Sequence, residues 1–279
     1  MTFPLRLLLG LLLSLLVALA AQRAHSLSRS GVLGAVLTGT LILGLGGWAW
    51  GLALIAFFVS SSLLTRWRKE RKAALEGLSA TGGQRDLGQA LANGGLAALL
   101  ALLAVLLPHP SWAAAFAGAL AAATADTWAT EVGTLSAIPP RRITTGEHVP
   151  PGTSGGVTRL GMLAAAGGAL FLGATFYLLS ITECRWLGWP CAPSASTSWT
   201  IIPLALAGGL AGNLVDSLLG ATWQGVYRCP RCGRETERRT HYGGPTVPLR
   251  GWAWLTNDGV NFLATVVGAA VAGGLTLLG

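Results

Sequence analysis

Charged side chains are scarce in this chain, 11% of 279 residues against roughly 25% in soluble domains, and that scarcity excludes an ordinary water-soluble fold. The signatures of soluble enzyme chemistry are missing too. There is no HExxH, Walker A loop or Rossmann glycine pattern, which removes support for metallohydrolase and soluble-type kinase readings. Long linkers and low-complexity tails are also absent, so residues 1–279 read as a single membrane domain.

What remains is apolar: 52% hydrophobic residues and a mean hydropathy of +0.58. About 20 helical residues cross a hydrocarbon core. Runs of that kind occupy Leu5 to Ala21, Val32 to Leu45, Trp48 to Leu64, Gln89 to Leu107, Trp112 to Val132, Leu160 to Ile181, Thr200 to Ala221 and Gly259 to Leu278. The fold class expected is an all-α polytopic integral membrane protein of about eight transmembrane helices with short loops. The first run, leucine-rich and preceded by Arg6, has the look of a secretory signal, but no convincing small-x-small cleavage site stands before a soluble region and more apolar chain follows at once, so it reads as a retained span rather than a signal peptide. The second is short and Gly-punctuated, which predicts a tilted or broken helix.

A net charge of +8 is explained by the positive-inside rule, and nucleic acid is not an expected partner. Arg66, Arg68, Lys69, Arg71, Lys72 and Arg85, then Arg141, Arg142 and Arg159, then Arg228 through Arg250, fall into three loops at about 65–88, 139–159 and 222–257. All three are expected on the cytoplasmic side of a bacterial-type plasma membrane. Ten of the 11 tryptophans sit at span ends or in loops, as an interfacial belt would place them.

Asp126, Glu131, Asp216 and Asp258 lie in or at the edge of these spans, and the orientation set by the arginines puts all four at the cytoplasmic level. A charge near a membrane helix centre costs at least ~2.5–3.5 kcal/mol, so each requires a partner or a cation. Thr130 lies at i+4 from Asp126, Asn213 and Ser217 flank Asp216 at helical spacing, Asn257 and Asn261 are four apart, and Asn93 lies at similar depth. Oxygen ligands of this kind suit Mg²⁺ together with substrate phosphates. The bland alternative is helix glue. Gly152-Thr153-Ser154-Gly155-Gly156 precedes the sixth span, and Gly82, Gly83 and Arg85 precede the fourth; such turns offer backbone N–H groups to an anion.

The cysteines divide by side. Cys229 and Cys232 form a CxxC with His241 as a third ligand, half a zinc knuckle or else reduced thiols. Cys184 and Cys191 fall on the opposite face, where a disulfide is expected.

The stretches around Thr65-Arg66, GGQRDLGQALANGG, ATADTWATEVGTLS, TTGEHVPPGTSGG, GNLVDSLLGATWQ and LTNDGVNFLATVVGA resemble the membrane family catalogued as domain of unknown function 92, which includes the plant and cyanobacterial phytyl-phosphate kinase. The resemblance implies phosphoryl transfer from a nucleoside triphosphate, expected to be CTP, to an isoprenyl monophosphate, with Mg²⁺ as cofactor and membrane lipid as surroundings. It implies Asp126, Glu131, Asp216 and Asp258 as catalytic acids, the three aspartates being metal ligands, and Asn93, Asn213 and Asn257 completing the shell. Arg66, Arg68, Arg85, Arg142 and the loop Gly152 to Gly156 would then hold phosphates. The rivals are a CTP-dependent cytidylyltransferase or lipid-phosphate transferase, and an ion-coupled transporter. A transporter would need polar residues along both halves of the bilayer, and the outer halves of the last five spans are almost purely apolar.

Overall fold

A computed structural model describes residues 3–67, 84–186 and 197–278. Eight long helices form the body: α1 (Phe3–Arg23), α2 (Arg29–Leu41, continued by a π-helical turn Ile42–Gly46), α3 (Trp48–Arg66), α4 (Leu87–Leu106), α5 (Ser111–Gly133), α6 (Arg159–Trp186), α7 (Ile201–Thr222) and α8 (Asn257–Leu275). Among the described residues seven are long and apolar enough to cross a membrane; α5 has the length, at 23 residues, but not the hydropathy.

The reason is position. The helix α5 is the hub, packed by α3, α4, α6, α7 and α8, and every residue from Ala113 to Ala125 is buried. A helix that meets other helices on all sides needs small side chains for close approach, not long ones for lipid. Its alanines and Gly118 supply that. By contrast α1 buries only Gly10, Ala18 and Ala21 and turns its leucines outward. Where α5, α7 and α8 meet, a Cβ on Gly208 would lie 2.5 Å from Gly268 O and 3.0 Å from Gly118 Cα, so the three backbones are in contact.

The short second span resolves into α2 and its π-helical turn, closed by Gly47 at φ +94°. Ser28 caps it, accepting from the Gly31 N–H at 3.1 Å, so the helix begins at Arg29, three residues earlier than hydropathy alone suggests. Asp86 caps α4 by accepting from Gln89 N at 3.0 Å.

At one end of the bundle α6 outruns its apolar segment, and Glu183 caps a different helix: its two carboxylate oxygens accept from Trp48 N at 2.8 Å and Ala49 N at 3.0 Å, at the start of α3. Arg6 is the attractive charge nearby, which gives this N-terminal arginine a structural reason to sit at the less basic end. Replacing Glu183 by Ala strands two helix N–H groups and is expected to lower stability by about 1–2 kcal/mol. Thermal unfolding in detergent measures it, with Glu183→Gln losing less.

The opposite end gathers the loops at residues 24–28, 134–158 and 223–256. They contain strands too short to show periodicity. Strand β1 (Arg141–Arg142) pairs antiparallel with β2 (Gly156–Val157). In the last loop β4 (Glu235–Thr236), β3 (Val226–Arg228) and β7 (Val247–Arg250) form a three-stranded sheet, and β5 (Thr240–His241) pairs with β6 (Gly244–Pro245). Trp223, Trp252 and Trp254 stack along this end with centroids 5.5 and 5.3 Å apart, all exposed, as interfacial anchors would be. Trp50 instead enters the core against Phe116, centroids 4.1 Å apart.

Candidate functional site

A cavity of about 470 Å³ opens at the basic end, lined by residues of α3 to α8 and of the loops at that end, including the turn between α1 and α2. It lies within the ~300–1,000 Å³ range of small-molecule sites. Its floor is made by the last turns of α5 and α7, which bring Asp126 and Asp216 within hydrogen-bonding reach of each other. Two carboxylates in contact need a cation or a shared proton between them. Asp216 Oδ2 and the Gln89 amide oxygen are buried with no hydrogen-bond partner among the described residues. Buried oxygen acceptors facing a polar cavity are the donor set a hard divalent cation takes.

Asn93, Asn213, Asn257 and Asn261 also line the cavity, as do Thr130, Ser217 and Glu131. Glu131 accepts a 2.7 Å bond from Thr65 Oγ1 of α3. Arg66 donates to Ser26 Oγ at 2.7 Å and to the Ala24 carbonyl, which ties α3 to the turn after α1. Arg85 runs alongside that turn: its N–H donates to Ser26 O, and its carbonyl accepts from Ser28 N, both at 3.0 Å. Its guanidinium lies 5.4 Å from the rings of Phe57 and Phe58. Burial draws Arg85 down to about 10, against Glu131, which raises it. It stays cationic at neutral pH.

The glycine loop forms one wall. Gly152 and Gly155 take φ of +86° and +77°, and a Cβ on Gly155 would meet Ala221 N at 2.5 Å, so glycine is required both by conformation and by contact with α7. Gly156 and Val157 then enter β2, and Thr158 caps α6 through Gly161 N at 2.9 Å.

Two charged residues stand elsewhere than the sequence suggests. Asp258 is outside the cavity lining and turns toward α4, where a Cβ on Gly88 would meet its Oδ2 at 2.5 Å. Arg142 is held by Glu235 at 3.3 Å, and Arg250 takes the other Glu235 oxygen at 2.7 Å. Arg68 lies outside the described residues, as do Gly82, Gly83 and Cys191; Cys184 is in a disulfide.

The residue that sequence reasoning missed is Glu237. It lines the cavity and accepts from Ser154 Oγ at 2.9 Å and Gln224 Nε2 at 2.8 Å, so it joins the last loop to the glycine loop. Within RETERRT it reads as one more solvated charge. Gln89 is a second such residue, legible in the sequence only as the polar edge of the fourth apolar run.

A second, apolar cavity lies between α1, α2, α3 and α4, walled by Val17, Ala35, Leu54, Phe57 and Phe58. It shares Arg85, Gln89 and Asn93 with the polar cavity, so a greasy slot and a polar chamber meet at one arginine.

The model of the family described as integral membrane protein DUF92 matches residues 12–269. Protein PGR of Arabidopsis thaliana is 32% identical over 278 residues, covering 94% of this chain and 93% of its own. A membrane protein of Methanocaldococcus jannaschii, described as uncharacterized, is 32% identical over 267 residues, 95% of this chain and 92% of its own. A similarly described membrane protein of Synechocystis sp. is 30% identical over 271 residues, covering 94% and 88%. No solved structure matches.

Proposed function

The chain belongs to the DUF92 family of integral membrane proteins, and from that premise we propose that it is an isoprenoid-phosphate kinase. It would move the terminal phosphoryl group of a nucleoside triphosphate, CTP by preference, onto a prenyl monophosphate to give the diphosphate. The observation that carries this reading is the meeting of the two cavities: a polar chamber with paired carboxylates and a glycine loop, joined at Arg85 to an apolar slot among helices. A substrate with a charged head and a hydrocarbon tail needs both. By the positive-inside rule the basic loops would lie on the cytoplasmic face, where nucleotide is found, and this supports the reading.

Asp126 and Asp216 would hold Mg²⁺, with Gln89 and Asn213 as neutral oxygen donors nearby. The bound metal would neutralise charge shared by the β- and γ-phosphates. Phosphoryl transfer asks the protein mainly for position and electrostatics. Arg85 and Arg66 would face the phosphates; with Thr153 N and Gly156 N given to the Pro150 and Thr153 carbonyls, the other backbone N–H groups of Gly152 to Gly156 would be offered to them, and Glu237 fixes the loop through Ser154. Asp258, whose Oδ1 is likewise buried with no hydrogen-bond partner among the described residues, and Arg142 stand outside the cavity lining and are given no ligand role in this reading. An ion-coupled transporter finds less support, because the bundle axis beyond the acids is filled by Ala113 to Ala125, with Phe176 packed against Phe116 of that stretch.

Turnover of the purified protein with CTP, Mg²⁺ and a series of prenyl monophosphates tests the reading by mass: the diphosphate must appear. Intact monophosphate with every nucleotide would end it. The slot has its own test. A Cβ on Gly94 meets Thr38 at an ordinary 3.5 Å, so Gly94→Leu extends into the slot. It is expected to raise KM for a long prenyl phosphate about tenfold, an occlusion worth ~1.4 kcal/mol, with KM for nucleotide unchanged.

A further inference from the structure

The loop between α7 and α8 carries a cluster the proposed reaction does not use. Cys229, Cys232 and His241 present their ligand atoms within 4.8 Å of one another, with Cys232 Sγ 3.7 Å from His241 Nδ1. Both thiols are free. The turn that brings them together is built for the purpose: Gly233 N donates to Cys229 O at 2.9 Å, Cys229 N to Arg234 O at 3.0 Å, and Gly233 takes φ +72°. That closes Cys-Pro-Arg-Cys-Gly into a tight knuckle. His241 arrives from a separate hairpin, β5–β6, whose own turn uses Tyr242 and Gly243 at positive φ.

We propose that Cys229, Cys232 and His241 hold a Zn²⁺ ion, with the fourth position open to solvent, and that this ion fastens the wall of the cavity. Two thiolates and an imidazole select zinc over the hard cation suited to the carboxylates below. The module needs such a fastening. Its strands are two to four residues long, and between Val226 and Arg250 its buried side chains are few, Val226, Tyr227, Cys229 and Thr236. Small β modules with so little core are commonly held by metal. What the module positions is specific. From the strand that follows the knuckle, Glu235 takes Arg142 and Arg250, and Glu237 takes Ser154. The zinc thus fixes the glycine loop from behind at a distance from the carboxylates, whatever reaction the cavity performs.

The test uses the full chain in detergent, purified under reducing conditions. About one zinc per chain is expected by elemental analysis, and replacement by Co²⁺ should give a thiolate-to-cobalt charge-transfer band. Cys232→Ser is solvent-exposed, so it is the variant least prone to misfold; it should weaken metal binding at least about tenfold and diminish that band. Chelation of the wild-type protein should speed proteolysis between Cys229 and Arg250 while leaving the helices intact. Absence of both zinc and the cobalt band in wild type, or a Cys229–Cys232 disulfide in their place, would overturn the proposal. Unchanged cobalt spectra in Cys232→Ser would do so as well.

Discussion

Asp216→Asn and Asp126→Asn are each expected to lose on the order of a thousandfold in turnover, while the protein keeps its fold and its melting temperature holds or rises. The two effects come from one geometry. Asp126 and Asp216 face each other across the cavity floor, so removing either charge removes a repulsion within a buried pair and leaves a hydrogen-bonding amide behind. The same change removes an anionic ligand from the metal and triphosphate, whose charge the site exists to neutralise. The double replacement should cost little more than either single one, because groups acting as a unit fail together. If the pair were helix glue, turnover would survive in both variants. Turnover and unfolding measured on the same preparations separate the two roles.

The second large effect concerns the hub. Gly208→Val is expected to abolish the folded bundle, a loss of more than about 3 kcal/mol. Its Cβ would fall 2.5 Å from Gly268 O, 3.0 Å from Gly118 Cα and 3.2 Å from Ala272 Cβ. Two of those three contacts are backbone, so no rotamer relieves them and the axes of α5, α7 and α8 must separate. Separation would also spread Asp126, Asp216 and Asn261, which sit on the same three helices. The control is Gly274→Ala in α8, where nothing lies within 4 Å; it should be neutral or slightly stabilising. Monodispersity in detergent and thermal unfolding check both. A normally folded Gly208→Val would mean the three backbones are not in contact.

Much of this arrangement can be read from residue order. Apolar run length fixes the eight helices, and arginine distribution fixes which ends belong together. The role of α5 cannot be read that way: it falls short of the hydropathy of a membrane span, and only packing reveals that it faces helices and not lipid. Asp258 teaches a finer lesson. Depth along a helix is legible, but direction around it is not given by depth. Asn257 and Asn261, four apart, line the cavity, and Asp258, three residues before Asn261 and so within about 60° of it, turns its Oδ2 toward Gly88 of α4. Helical spacing alone does not separate the two directions. Glu237 was hidden for a different reason: it is brought to the site by strands of two to four residues, too short for any periodicity to register. Arg142 shows the limit of reading basic residues beside a glycine loop as phosphate ligands, since Glu235, 93 residues further on, takes its guanidinium.

The most direct measurement of the central claim is the fate of label from CTP. Purified protein is given Mg²⁺ and a prenyl monophosphate, with CTP labelled at the γ-phosphate in one reaction and at the α-phosphate in a second. An isoprenoid-phosphate kinase predicts γ-label in a prenyl diphosphate and α-label retained in CDP. Label from the α position in the lipid product would contradict it and assign the cavity to cytidylyl transfer.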